Sequence, residues 1–185
     1  IQSKSFSLLR RKRDVVVASP MLQESTKKLL AERSVEYASQ LPGSPGEQWL
    51  VSRGITKTAM DFFGLGYVGI PMKGDRSHAG RLVIPYFTRT GVVALRSTSL
   101  PDEQGGRPEP KYLPWMTGDI SRPFNTTALD SSDEVYICEG EMDTITAWQC
   151  GLYAVGIPGV QNWRDVYRPL FRYRRVTVLA DNDDT

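Results

Sequence analysis

Hydrophobic and polar positions follow two different periods along this chain, and the change falls near residue 81. Before it, apolar residues recur at helical spacing. Leu29, Leu30, Ala31, Val35, Ala38 and Leu41 fall on one stripe and predict a helix over about 25–41, ended by Pro42-Gly43. Ser44-Pro45-Gly46-Glu47 combines a capping box with proline at the first helical position. It starts a second helix through Trp49-Leu50-Val51 that stops at Gly54. Thr56 caps a third, from about Lys57 to Phe63, with Gly64 as its stop. From Arg81 the period becomes that of a strand. Residues 81–87 and 92–98 flank Thr88-Arg89-Thr90-Gly91 and predict a β-hairpin. Pro85 must then lie on an edge or at a bulge, because it has no N–H for a ladder. Residues 101–110 read as a polar loop with a mobile tip, and residues 111–132 as mostly irregular. A regular alternation follows: strand 134–138, helix about 142–150, strand 152–156, helix about 162–172, strand 174–180. That order is the signature of a parallel sheet. Residues 1–20 show no clear period apart from Val15-Val16-Val17 and are expected to form an arm or edge strand. The chain thus divides into an arm over 1–24, an α+β subdomain over 25–130 and an α/β (βαβαβ) subdomain over 131–185.

Two strands of the second half stop abruptly at acidic residues. Val135-Tyr136-Ile137-Cys138 ends at Glu139-Gly140-Glu141-Met142-Asp143, and Val176 to Ala180 ends at Asp181-Asn182-Asp183-Asp184. Parallel α/β sheets bind ligands outside the carboxyl ends of their strands. Carboxylates gathered there repel one another unless a cation sits between them, and oxygen-only ligands suit Mg²⁺ or Mn²⁺. The pattern therefore points to phosphate chemistry with metal ions held at the top of a sheet.

Composition narrows the picture only a little. With 185 residues, 40% hydrophobic and 24% charged, the chain is an ordinary globular length and mixture. The net charge of +2 permits nucleic-acid binding without arguing for it. Cys138 and Cys150 form no Cys-x-x-Cys pair, so no zinc ribbon can be built from them. Both are expected as small buried hydrophobes in a reducing compartment. No apolar run approaches the roughly eighteen residues of a membrane span. The single histidine, His78, is expected on a surface turn, and without a suitable serine or cysteine partner a hydrolase triad is unsupported.

Five blocks, in order, resemble the core of bacterial and phage DNA primases that carry a Toprim domain. They are Trp49 to Thr56 with Phe63 to Tyr67, Gly80-Arg81-Leu82-Val83-Ile84-Pro85, Pro110-Lys111-Tyr112-Leu113, Glu139 to Asp143, and Asp181-Asn182-Asp183. The likeness spans about residues 45–185. It implies a Toprim-type sheet, incomplete at its C-terminus, and DNA-templated synthesis of short RNA primers by two-metal nucleotidyl transfer. The implied partners are a single-stranded DNA template, nucleoside triphosphates, a replicative helicase, and a separate chain or domain supplying a zinc ribbon and the remaining Toprim elements. The implied location is the cytoplasm of a bacterial cell or phage-infected host. A Toprim sheet cut at residue 180 would leave an open edge and an uncovered apolar face. The chain by itself is therefore expected to be nearly inactive in primer synthesis. Two other readings remain open: a Toprim nuclease or topoisomerase fragment, and a non-catalytic replisome module that binds single strands.

Glu139, Asp181 and Asp183 are the candidate metal ligands. Asp143 could hold a second metal or water, or simply favour its helix N-terminus through the dipole. Glu141 is expected to act behind the ligands or as a cap, and Gly140 to let backbone approach metal or phosphate. Within the resemblance, Arg81, Lys111 and, less directly, Arg96 line the cleft that faces the metal site and bind nucleotide or template phosphates. Tyr112 can stack on a base or ribose. Arg10 to Arg13 are expected on a solvated arm, Arg172 to Arg175 to serve their helix end, and Trp148 to belong to the core.

Overall fold

The computed structural model describes residues 22–102, 104–116, 122–157 and 163–180. Arg10 to Arg13, Val15 to Val17 and the acidic run Asp181 to Asp184 lie outside the described residues.

The helical first half forms where its caps specify. Helix α1 spans Glu24–Ser39, α2 Pro45–Ser52 and α3 Lys57–Phe62. Ser44 Oγ accepts the Glu47 N–H at 3.2 Å, and Thr56 Oγ1 accepts the Ala59 N–H at 3.2 Å. Glu47 reaches back to the Gly43 N–H at 2.6 Å, which closes the capping box one residue early. The buried stripe of α1 is not the expected one. Leu30, Ser34 and Tyr37 face inward while Val35 is 72% exposed. The helix is turned by Tyr37, whose hydroxyl donates to the buried Asp75 at 2.6 Å. That contact outweighs the burial of one valine.

Four strands make an antiparallel sheet in the order β1 (Gly66–Tyr67), β2 (Leu82–Thr88), β3 (Gly91–Thr98), β4 (Tyr112–Pro114). The hairpin β2–β3 is as expected. Pro85 sits two residues beyond the last β1 pairing, at Val83, and just before a register shift at Tyr86/Phe87, so both of its requirements are met. Gly66 lies against α1 so closely that a Cβ would stand 2.6 Å from the Tyr37 carbonyl carbon. The stretch 111–132 is more ordered than its sequence suggests: it contains β4 and a 3₁₀ turn over Thr126–Asp130.

The second half alternates β5 (Glu134–Cys138), α4 (Glu141–Gln149), β6 (Ala154–Gly156), a 3₁₀ helix (Asp165–Phe171) and β7 (Arg175–Leu179). Its sheet runs β6-β5-β7, all parallel. The chain is therefore a mixed α/β protein with a three-stranded parallel sheet. The helix expected over 162–172 is a tighter 3₁₀ segment, because Pro169 removes an N–H in its middle. Strand β7 is exposed along its whole length, with Val176, Val178 and Leu179 at 38%, 63% and 39%. Arg174 donates to the Ser132 and Leu170 carbonyls, which gives the basic run at 172–175 the structural part expected of it.

One core joins the halves. Phe63, Tyr86, Phe124 and Ile145 pack together, and Phe124 also bridges antiparallel to Gly156 at the end of β6. Trp148 packs on that core and stacks on Phe62 at 4.3 Å. The Gln149 side chain accepts the Thr56 N–H at 2.6 Å and donates to the Gly54 carbonyl at 3.1 Å, tying α4 to the start of α3. Cys138 is buried in β5, whereas Cys150, expected in the core, is exposed because it falls on the cap of α4.

Candidate active site

Two pieces of chain converge at the start of α4. Gly140 is its N-cap, in an extended conformation, and Glu141 its first residue. The Asp143 carboxylate folds back over this turn, so that a Cβ on Gly140 would stand 2.9 Å from Asp143 Oδ2. A side chain at position 140 would have to displace that carboxylate. Glu141 points the other way, into the antiparallel sheet, and is only 2% exposed. Its Oε1 accepts the Tyr86 hydroxyl at 2.7 Å, and Arg96 Nη1 lies 3.9 Å from the same oxygen. The Arg96 guanidinium stands 5.0 Å above the Tyr86 ring. Burial, then the Glu141 charge, pushes the Tyr86 phenol well above its ordinary range, so it stays a donor.

The other piece is the segment 110–115. The Ser99 N–H donates to the Lys111 carbonyl at 3.0 Å, and β4 continues that pairing with Thr98 opposite Tyr112. Arg81, buried, donates from Nη1 to the Pro110 carbonyl at 2.9 Å and towards that of Lys111 at 3.4 Å. Trp115 Nε1 donates to Asp75 Oδ1 at 3.1 Å. The segment is thus clamped at both ends, and Lys111 and Tyr112 project between the clamps. Lys111 Nζ lies 5.3 Å from the Tyr112 ring, which is 42% exposed. Partial burial, then Glu141 and, further down, Asp143, raise the Tyr112 phenol to about 12 against the opposing charges of Arg107 and Arg96. The Tyr112 phenol therefore feels the charges of Glu141 and Asp143 on α4, of Arg96 on β3 and of Arg107 in the loop before β4.

The structure thus sets Lys111 beside Tyr112, within the electrostatic reach of Asp143 and Arg96, and commits one Arg81 nitrogen to the backbone that carries Lys111. Glu139 follows β5 immediately, partly exposed. The pairing of Cys138 with Leu179 sets the carboxyl ends of β5 and β7 level. Asp181 and Asp183 lie outside the described residues. Among the described residues no group of three His, Cys, Asp or Glu side chains could hold a metal ion.

His78 corrects the surface expectation: it is buried, its Nδ1 lies 2.8 Å from Ser97 Oγ, and its ring stacks on Trp115 at 3.8 Å. Burial lowers its pKa below the ordinary value. Sequence reasoning also missed Tyr86 and Arg107. Tyr86 reads as one more apolar strand position, and Arg107 sits in a loop with no periodicity to mark it.

Comparison with known proteins fits this geometry. The E. coli primase catalytic core superimposes with a TM-score of 0.66 at 20% identity, covering 86% of this chain and 63% of that one. A DnaG primase catalytic domain bound to single-stranded DNA gives 0.63 at 19% identity, covering 82% and 61%. The fold is that of a DnaG primase catalytic core, and the chain spans about three fifths of the length of those cores. No family model matches the sequence. The Gene 57 protein of Mycobacterium phage D29 is 42% identical over 114 residues, covering 58% of this chain and 71% of that protein, and the chain belongs to its family.

Proposed function

We propose that this chain carries the nucleotidyl-transfer core of a DNA primase, with a Toprim-type parallel sheet, and makes short RNA primers on single-stranded DNA. The observation that carries the proposal is the level ending of β5 and β7, with Glu139 one residue past the first and Asp181 two residues past the second. The donor set of Glu139, Asp181 and Asp183 is oxygen-only and anionic, which fits Mg²⁺ or Mn²⁺. When bound, such ions would stabilise charge on the attacking and leaving oxygens of an in-line displacement.

The chain's own residues account for the rest. Lys111 supplies a compact charge for a phosphate, and Tyr112 a half-exposed ring on which a base or ribose can stack. Arg96, steadied by Glu141 and Tyr86, keeps donors for a phosphate. Asp143 lies at the turn after Glu139, within reach of a second ion or its water. Arg81 fixes the backbone that carries Lys111.

Among the described residues β7 ends its sheet and exposes its apolar side chains, which supports a further part of the proposal: strands from another chain, or from more of the same protein, complete the sheet, and a zinc ribbon and helicase act alongside. The test is template-directed ribonucleotide incorporation on single-stranded DNA with Mg²⁺ or Mn²⁺, with and without a candidate zinc-ribbon or sheet-completing partner. Incorporation that requires Glu139 and rises with the partner is expected. Template-independent incorporation, or incorporation that survives Glu139→Gln, would overturn the proposal.

A further inference from the structure

Arg107 is a second cation near Lys111 in this part of the molecule. Arg33 pairs with Asp75, Arg89 with Asp130 and Arg96 with Glu141. Arg107 has no carboxylate partner among the described residues. Its Nη1 donates to the Ser99 carbonyl at 3.0 Å, and its guanidinium lies 5.2 Å from the Trp49 ring centroid. Those contacts fix the group and leave most of its five donors unused.

The loop before it is built to aim it. Asp102 Oδ1 accepts the N–H groups of Gln104 at 3.0 Å and Gly106 at 2.7 Å, and the Asp102 N–H donates to the Gly106 carbonyl at 2.7 Å. A Cβ on Gly106 would stand 2.8 Å from Asp102 Oδ2, so a side chain there would have to displace the carboxylate that holds the turn. Asp102 and residues 104–106 thus form a hydrogen-bonded turn that leads to Arg107 and its bond to Ser99. Ser99 in turn pairs with Lys111. The anchor of Arg107 and the residue carrying the candidate phosphate-binding lysine are therefore hydrogen-bonded neighbours. The Ser99 hydroxyl, itself buried, has no hydrogen-bond partner among the described residues.

We infer that Arg107 binds a phosphate group beside Lys111 and Tyr112, as a fork held on Trp49 rather than as a free surface charge. The inference rests on the function proposed above for the choice of phosphate, either that of a nucleoside triphosphate or that of the DNA backbone. A guanidinium pre-stacked on an indole loses little freedom on binding and presents paired donors matched to phosphate oxygens.

The test measures binding and does not depend on catalysis. Wild type, Arg107→Ala and Arg107→Gln are titrated with a ribonucleoside triphosphate plus Mn²⁺ and with a single-stranded oligonucleotide across a salt series. Arg107→Gln removes the charge while keeping a polar side chain, and an unchanged unfolding midpoint shows that the fold is intact. The expected result is affinity about tenfold weaker in one arm. If the DNA arm responds, the salt slope should also fall by about 0.7. Loss in the triphosphate arm assigns the phosphate to the nucleotide, and loss in the oligonucleotide arm to the template. Unchanged affinity in both arms, with wild type binding, overturns the inference and leaves the proposed function standing. Loss of binding in a protein that makes no primer under any condition leaves the inference standing and removes the catalytic reading. Wild type that binds neither ligand overturns both.

Discussion

Removing the Tyr86 hydroxyl tests how the two halves of the site are held together. Glu141 is a carboxylate with almost no solvent access, and its nearest compensation is the Tyr86 donor at 2.7 Å, with Arg96 further off at 3.9 Å. Tyr86→Phe keeps the ring packed against Phe124 and the Arg96 guanidinium, and deletes only that donor. A hydrogen bond to a charged group contributes about 1.5–3 kcal/mol, so the variant should lose that much. For a chain of this size the midpoint should fall by about 3–12 °C. The charge itself can be isolated with Glu141→Gln, whose amide oxygen still accepts from Tyr86 as a neutral group. In that background Tyr86→Phe should cost only about 0.5–1.5 kcal/mol, and the double-mutant cycle should return a coupling of about 1 kcal/mol. The assays are urea and thermal unfolding of the four proteins followed by tryptophan fluorescence, with unchanged slopes in urea. Equal cost of Tyr86→Phe in both backgrounds would refute the idea that the tyrosine serves a buried charge. A midpoint shift under 1 °C would refute the contact itself.

Other consequences are independent of it. Asp75 receives Arg33, Tyr37 and Trp115 while 4% exposed, so Asp75→Ala should cost about 3–5 kcal/mol in chemical denaturation by taking the charge partner from a partly buried guanidinium and the acceptor from the Tyr37 and Trp115 donors. His78 has a folded pKa below its unfolded value of about 6.5, so the unfolded state binds the proton first. Stability is then full above that value and declines as pH falls towards the folded pKa; urea midpoints from pH 7 to 5 should show the decline, and His78→Gln should flatten it. A Cβ at Gly156 would stand 2.5 Å from Thr144 Oγ1 and 3.0 Å from the Gly140 carbonyl oxygen, so Gly156→Ala should lower the unfolding midpoint and disturb the turn after Glu139.

What the sequence revealed depended on the range of the interactions. The starts of α2 and α3 were legible because Ser44 and Thr56 cap within three residues of themselves. The alternation of β5, α4 and β6 was legible because burial imposes a local period, and β7 because its β-branched run Val176-Thr177-Val178 favours a strand. Strand β4 was not, since three residues carry no period and its existence depends on β3. The inward face of α1 was misjudged because Tyr37 is drawn by Asp75, 38 positions away. In the site, acidic residues at strand ends were visible from the sequence, and the companions of Glu141 were not. Tyr86 lies 55 residues from it, in the antiparallel sheet. Arg81 shows the same limit: its motif marked it as important, but only the fold shows its guanidinium turned to the Pro110 and Lys111 carbonyls.

Mn²⁺ binding followed by electron paramagnetic resonance, on wild type, Glu139→Gln and Asp181→Asn, tests the central claim most directly, because the proposal places carboxylates from two level strand ends around one cation. Wild type should bind Mn²⁺, and each substitution should weaken binding by at least about tenfold while the unfolding midpoint stays within about 2 °C of wild type. Binding of equal strength in all three proteins, or none in wild type, would contradict the account.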